Sequence, residues 1–447
     1  MPQNTAAVDR CEHVIAAAKR LGADAADAVL IDSTAIEVGR RLGQPEKLER
    51  AESSDLGLRV LIGQRQAVVS TSDLRPDTVD AMIERAVTMA KAIPDDPYAG
   101  LAEPDQIART WDDLDLDDPQ EPDTPGLIAF ADAAEDAARA VDGVTNSEGA
   151  EASWGRSHIT LVASNGFAGG YTASRRSLAV SVLAGEGTGM ERAFEYTTAT
   201  YAEDLRRADE VGRMAGERAV KRLNARKLDG GRVPVVFDYR VSGGFLGNLA
   251  GAINGSAVAR GTSFLKNKRG ERIMAPGLVV TEEPFERRGP RSHPFDGEGL
   301  RPRQRRLVDD GVLTDWILDL RTARQLGLES TGNASRGTGG PPSPSAANLK
   351  LEPGEKSPEA LIGEIENGVF IDSMFGMGVN LVTGDYSRGF SGFWIENGEI
   401  TFPVSEMTVA GNLMDMFMAI TAADDFQRRT GIDAPTVRID GMTVSGT

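Results

Sequence analysis

Residues 242–256, "SGGFLGNLAGAINGS", follow the apolar run "VPVVF" at 233–237 and read as a strand leading into a helix. The helix is an expensive one, because it carries Gly243, Gly244, Gly247, Gly251 and Gly255. Each interior glycine costs about 1 kcal/mol against alanine, so three of them give up roughly 2–3 kcal/mol. Leu246, Leu249 and Ile253 fall on one face of that helix, and Gly247, Gly251 and Gly255 recur at four-residue spacing on another. Small residues at this spacing let a second backbone come close. The expectation is a helix with one apolar face in the core and one smooth face that lines a cleft or packs a subunit interface.

The rest of the second half is rich in glycine and short strands: "VPVVFDYR", "GLVVTEE", "VFIDSM", "GFWIENGEITFPV" and "TVRIDGMTV". Helices are expected only around 243–254, 316–327, 357–366 and 407–424. The segment 330–349, "STGNASRGTGGPPSPSAANL", is a long loop of the kind that is functional or disordered. The first half mixes helices with paired strands. Val8, Cys11, Val14, Ile15, Ala18 and Leu21 have helical spacing, stopped by Gly22; Cys11 reads as a small buried hydrophobe and His13 lies beside the stripe. Strands follow at "AVLIDSTAIEVG", "LGLRVLIG" and "QAVVST", then a helix opened by Pro76. A helix from 125 to about 141, a hairpin turning at Asn165-Gly166, a further strand pair and a helix over about 202–224 complete this half. Helices and strands without strict βαβ alternation give an α+β class. The expected organisation is an N-terminal mixed helix and antiparallel-sheet region (1–100, then 125–228, joined by an acidic linker at 101–124) followed by a strand-rich, glycine-rich domain over 229–447.

The chain has 447 residues, a formal net charge of −18, 50 glycines and one cysteine, Cys11. A single cysteine excludes an intrachain disulfide and a cysteine metal cluster. The acid excess is uneven: residues 101–125 hold nine acids and one arginine, which reads as a solvated linker. Residues 285–306, "FERRGPRSHPFDGEGLRPRQRR", reverse the bias with seven arginines and three acids. In an acidic chain this reads as a local anion, peptide or partner surface rather than a nucleic-acid face. No 18-residue apolar run and no signal peptide are recognised, so the expectation is a cytoplasmic protein without a membrane span.

Several chemistries lack their residues. There is no phosphate-binding loop, no dinucleotide fingerprint and no nucleophile elbow. His13, His158 and His293 lie far apart in sequence and none belongs to a His-Glu-x-x-His motif. His158 alternates outward from Ile159 and Leu161, as a sheet-surface residue does. His293, in "PRSHPF", is the best candidate for acid–base work, against the plainer reading of an exposed loop histidine. Glu282-Glu283 and Asp309-Asp310 are sequence neighbours, which point to opposite faces of a strand and form no catalytic dyad.

Five stretches together resemble a known family: "DPYAGLA" at 96–102, "SGGFLGNLAGAINGSAVARGTSFL" at 242–265, "GEGLRPRQRRLVDDGVL" at 297–313, "STGNASR" at 330–336 and "GVNLVTGDYSRGFSGFWIENGEITFPVSEMTVAGNL" at 379–413. They are similar to the TldD/PmbA family, the so-called modulators of DNA gyrase, and to its PmbA (TldE) branch, over essentially the whole chain. The resemblance implies a heterodimer of TldD-like and TldE-like chains that cleaves unfolded or small modified peptides. It also implies zinc on the TldD-like partner, held by His-Glu-x-x-x-His and a cysteine. Aligned by hand, that motif falls on Gly247, Asn248 and Ala252, with Gly251 at the glycine before the second histidine. Glycine and alanine offer no ligand atom, and asparagine is no base at neutral pH. No catalytic residue, metal ligand or cofactor is therefore expected in this chain.

The expected role is a peptide-binding and complex-forming subunit. Asn248, Gly251, Arg388, Phe390 and Trp394 are its candidate peptide-binding or interface residues. Peptide capture is expected by strand addition, with "DYSRGFSGFWIENG" near the cleft, Arg388 meeting carboxylates, and Phe390, Phe393 and Trp394 giving apolar contact. The alternatives are an independently active, homodimeric peptidase with an unrecognised site, or a non-enzymatic module binding a peptide or toxin.

Overall fold

The computed structural model describes residues 5–376 and 378–446. The first half is built on one antiparallel sheet. In chain order it contains α1 (Thr5–Arg20), β1 (Ala25–Arg41), β2 (Gln44–Ile62), β3 (Arg65–Thr71), α2 (Pro76–Ala92), α3 (Thr124–Arg139), β4 (Val144–Ala163), β5 (Ala168–Ala184), β6 (Glu191–Ala199) and α4 (Ala208–Lys221). The strand order is β3-β2-β1-β4-β5-β6, so the pairing of β1 with β4 makes the segments before and after the acidic stretch a single sheet.

Strand alternation sorts the two faces of this sheet. Even-numbered residues face the helices: Ala26, Ala28, Leu30, Leu56, Leu58 and Val60 pack under α1 and α2, while Ile36, Val38, Ala152 and Trp154 pack under α3 and α4. Odd-numbered Val29, Ile31, Ile159, Leu161 and Tyr171 face the other way, onto Phe295, Leu300 and Leu320 of the second half. Both faces are covered near the start of β1, so Ala26 to Leu30 are buried consecutively.

The acidic stretch differs from the solvated linker expected of it. Leu114, Leu116 and Asp118 are buried. The chain runs beside β5, where the Ser174 N–H donates to the Leu116 carbonyl at 2.9 Å. Its acids neutralise fixed arginines: Asp117 takes Arg156, Asp118 takes Arg176, and Asp115 takes Arg287 and Arg288. The middle of the run, Asp115 to Asp118, holds sheet and loop together, while the acids on either side of it stay exposed.

The second half contains β7 (Gly231–Phe237), α5 (Tyr239–Ala252), α6 (Gly255–Ala259), β8 (Val280–Glu283), β9 (Arg305–Asp309), β10 (Val312–Leu313), α7 (Leu320–Leu326), β11 (Ala334–Ser335), β12 (Ser343–Pro344) and β13 (Asn348–Leu351). It continues through α8 (Pro358–Gly363), β14 (Asn367–Phe375), β15 (Asp385–Glu396), β16 (Glu399–Asn412), α9 (Leu413–Met418), β17 (Ile420–Ala422), β18 (Ile432–Asp433) and β19 (Val437–Ser445). The ring β16-β15-β14-β7-β19 closes through the β16–β19 pairing into a barrel. A second sheet, β10-β9-β8-β13-β18, packs beside it. The protein is thus α+β, with a helix and antiparallel-sheet region followed by a strand-rich domain.

Two details depart from the expected elements. The helix expected at 407–424 is only α9, because residues through Asn412 continue β16 and Ile420 starts β17. The long loop 330–349 is ordered and largely internal: Ser330, Thr331, Asn333 and Ala334 are buried. Arg336 from this loop forms an ion pair with Asp27 of β1, whose other partner is Arg59 of β2, Nε to carboxylate 2.9 Å. Gly57 lies beneath it, where an added Cβ would sit 2.4 Å from the Thr338 carbonyl oxygen. A flexible composition here serves a close interdomain fit.

Candidate functional site in the cleft between the two halves

The glycine-rich helix α5 starts at Asp238, whose carboxylate accepts the Arg240 N–H at 2.8 Å. Phe245, Leu246, Leu249, Ala252 and Ile253 enter the core, with Phe245 edge-on to Phe237 at 4.8 Å. The close approaches fall only partly where expected, at Gly255 but not at Gly247, and Gly243 adds another. A Cβ on Gly243 would be 2.5 Å from the Ile432 carbonyl oxygen, and one on Gly255 2.9 Å from the Ile317 carbonyl oxygen. Gly247 meets nothing within 4 Å, and Gly255 already belongs to α6. Gly251 lies under Leu381, whose Cδ1 would be 2.8 Å from its Cβ.

This helix does not fit a zinc ion. Gly247 is exposed and has no side chain, Asn248 is half-buried and carries only a carboxamide, and Ala252 is wholly buried in the core. Among the described residues no group of three or more His, Cys, Asp or Glu is placed to hold a metal. Cys11, on the far half, is buried, and burial pushes its thiol up to about 12, far from a ligating thiolate.

The candidates on β15 separate. Phe390 is wholly buried in the barrel core, which removes it from any ligand-contacting surface. Trp394 is half-buried against the same core, and Arg388 donates from Nε to the Gly376 carbonyl at 3.1 Å. β15 pairs with β14 on one side and β16 on the other, so it offers no free edge for strand addition.

A concavity lies between the odd-numbered face of the first sheet and residues 286–297. An outer chamber of ≈ 490 Å³ is bounded by Ser157, Ala173, Arg175 and Thr198 on the sheet and by the 286–292 loop and Arg428-Arg429 opposite. An inner chamber of ≈ 340 Å³ adjoins it through Ala173, Pro290 and Ser292, and is lined by Val29, Ile159, Leu161, Tyr171, Phe295 and His293. His293 is half-buried rather than exposed. Its Nδ1 lies 3.1 Å from the Arg291 carbonyl, so Nδ1 carries the proton and Nε2 is left as a buried acceptor without a partner. Burial holds its pKa below the ordinary histidine value, so the ring is neutral at pH 7. His158 lies on the opposite, helix-facing side, with Nδ1 2.9 Å from the Thr172 hydroxyl.

The arginine-rich loop 285–306 is now sorted by its partners. Arg287 and Arg288 bind Asp115, Arg301 pairs with Asp112, Arg303 with Glu329, Arg305 with Glu282, and Arg306 with Asp309. Arg291 alone has no carboxylate among the described residues; its Nε and Nη2 donate to the Ala346 carbonyl at 3.1 and 2.9 Å. Sequence reasoning missed Arg291 and its neighbour Arg175. The charge reversal at 285–306 was the only signal of the first, and β5 held none of the second.

Over residues 230–446 the chain matches the model of the PmbA/TldA metallopeptidase C-terminal domain, over 117–223 its central domain, and over 26–90 its domain 1. It is 36% identical over 425 residues to "Metalloprotease PmbA" of Escherichia coli O157:H7, covering 95% of this chain and 92% of that one. The chain belongs to the PmbA/TldD family. A PmbA homolog of Haemophilus influenzae is 35% identical, covering 96% of this chain and 94% of its own. A crystal structure from Bacteroides thetaiotaomicron, described as a modulator of DNA gyrase, superposes with TM-score 0.91 at 27% identity and full coverage of both chains. TldE from Thermococcus kodakarensis shares the fold, with TM-score 0.84 at 21% identity over 98% of this chain and 100% of that one. The PmbA/TldD fold thus extends over the whole chain, and the family's metallopeptidase names meet a helix α5 without ligand side chains.

Proposed function

We propose that this chain is a TldE-type subunit that binds peptide for a metallopeptidase and depends on a TldD-like partner for hydrolysis. The observation that carries the reading is α5, where ligand positions hold Gly247, Asn248 and the wholly buried Ala252. Zinc-assisted hydrolysis needs imidazole, thiolate or carboxylate ligands and a base for the water proton, and this helix supplies neither. Peptide binding is assigned to the interdomain cleft, in place of strand addition at β15. The partner is assigned to the surface over α5. There Leu381 covers Gly251, its carbonyl accepts the Phe264 N–H at 2.9 Å, and the next residue, Val382, is exposed. Zinc belongs to the partner, and the complex is cytoplasmic in this reading.

The test is zinc content and casein or peptide hydrolysis by the chain alone and mixed with a paralogue carrying His-Glu-x-x-x-His. The expected result is zinc and hydrolysis only in the mixture. Stoichiometric zinc and turnover in the lone chain would overturn the reading in favour of an independent peptidase.

A further inference from the structure

Two arginines of the cleft form no ion pair with its acids among the described residues. Of the acids lining the outer chamber, Asp204 is taken by Arg288 and Glu286 by Arg428. Arg429, also on its wall, pairs with the buried Glu195. Arg175 and Arg291 have no carboxylate within salt-bridge distance among the described residues. Each is instead held by neutral oxygens. Arg175 Nε donates to the Thr198 hydroxyl at 3.0 Å, leaving its two Nη groups. Arg291 uses Nε and Nη2 on the Ala346 carbonyl, with Nη2 also 3.2 Å from the Ser345 hydroxyl, and Nη1 makes no hydrogen bond among the described residues. Burial first, and the charge of Arg175 second, lower the pKa of Arg291. A half-buried guanidinium that has lost water and faces a second cation is short of an anion.

We propose that Arg175 and Arg291 form a carboxylate clamp that takes the C-terminal carboxylate of a bound peptide. The inference rests on the assignment of peptide to this cleft and names the end of the peptide that it recognises. Fixed guanidinium groups suit a carboxylate because their remaining N–H groups point at it without reorganisation. The wall beyond them favours a chain terminus with an apolar last residue. Val29, Ile159, Leu161, Tyr171 and Phe295 form an apolar wall of the inner chamber, whose other side carries His293, Asp296 and Arg336, and its ≈ 340 Å³ accommodates one large apolar side chain against that wall. Carboxylate and side chain leave the same Cα, so a site with a cationic rim beside an apolar wall reads both at once.

The experiment is equilibrium binding of N-terminally labelled Gly-Ala-Ala-Ala-Leu to the full chain by fluorescence anisotropy. Three ligands are compared: the free acid, its C-terminal amide, and an amide in which the last residue is Glu. The free acid is expected to bind about tenfold to a hundredfold more tightly than the Leu amide, the range for a charged hydrogen-bonding group. Arg175→Met and Arg291→Met keep the aliphatic stems and are expected to remove that advantage while leaving the Leu amide unchanged. Arg175 is exposed, so its variant serves even where Arg291→Met fails to fold. Equal binding of acid and amide, with both variants like wild type, overturns the clamp and leaves peptide binding standing. A Glu amide as tight as the free acid gives the pair to acidic side chains and overturns the assignment to the terminus. No binding of any of the three removes the peptide reading of the cleft and the clamp with it.

Discussion

Asp27→Asn is expected to weaken the join between the two halves by more than any surface substitution. Asp27 lies on the odd-numbered face of β1, opposite Arg59 on β2, and receives Arg336 from the 330–349 loop of the second half. Side-chain exposure is 3% for Asp27, 4% for Arg59 and 1% for Arg336, so water screens none of the three. Burial alone would raise the Asp27 pKa, but the Arg336 and Arg59 charges outweigh it and hold the carboxyl below its ordinary value. Asparagine keeps the volume and leaves two buried guanidinium groups without a counter-charge, a loss of about 3–5 kcal/mol. Arg336→Met leaves the Asp27–Arg59 pair intact and is expected to cost about 1.5–3 kcal/mol. The double variant should cost less than the sum, with a coupling of about 1 kcal/mol or more. Urea unfolding followed by tryptophan fluorescence checks this, since Trp111 and Trp154 report the first half and Trp316 and Trp394 the second. For an acid held low, the stabilisation is complete above its unfolded pKa and is lost only as pH falls through the folded one, so the Asp27→Asn effect should be constant from about pH 5 to pH 8. A destabilisation below about 1 kcal/mol, or strict additivity in the double variant, would refute the reading of Asp27, Arg59 and Arg336 as a coupled buried join.

Three further outcomes follow from the same physical reasoning. Burial, then repulsion from Asp296, raises the Glu298 carboxyl, so its stabilisation is complete below the unfolded pKa and declines as pH rises toward the folded one. Thermal unfolding of wild type should therefore fall with pH over about pH 5–8 more steeply than that of Glu298→Gln, which keeps an acceptor for the Leu320 N–H; parallel curves would contradict this. Two glycines of α5 should respond oppositely to alanine. Gly243→Ala puts a Cβ against the Ile432 carbonyl and should cost about 1–3 kcal/mol, while Gly247→Ala meets open space and should stabilise by up to about 1 kcal/mol, both read from chemical denaturation. Native Cys11, buried with its thiol pushed up to about 12, should resist a thiol reagent at pH 8 and react once urea unfolds the first half; rapid native labelling would contradict its burial.

Local patterns carried much of the fold. The 3.6-residue spacing at Val79, Met82, Ile83 and Ala86 and the Asn165-Gly166 turn are short-range signals, and each marks an element observed here. At 407–424 the apolar spacing of Met407, Leu413 and Met416 resembled one helix, but it belongs to a strand end and a separate short helix sharing one core. The acidic run at 101–125 misled for a similar reason. Charge density indicates solvation only when no counter-charge is fixed nearby, and Arg156, Arg176 and Arg288 come from positions 31 or more residues beyond the run.

The candidate site was the least legible part, and the cause is specific. Seven arginines in one loop look equivalent in sequence, yet their chemistry depends on which carboxylates the fold delivers to them. Six receive one from the acidic run, the second sheet or the following loops. Arg291 receives backbone carbonyl and hydroxyl oxygens instead, and its nearest unbalanced charge is another arginine. A cation held in this way keeps its hydrogen bonds but gains no ion pair within the chain. A bound anion would bring the missing charge, as the proposed clamp requires. The same logic bears on α5, where Gly243 and Gly255 are required by backbone contacts while Gly247 is not. The helix retains at Gly247 a smooth, open surface that packing within this chain does not demand.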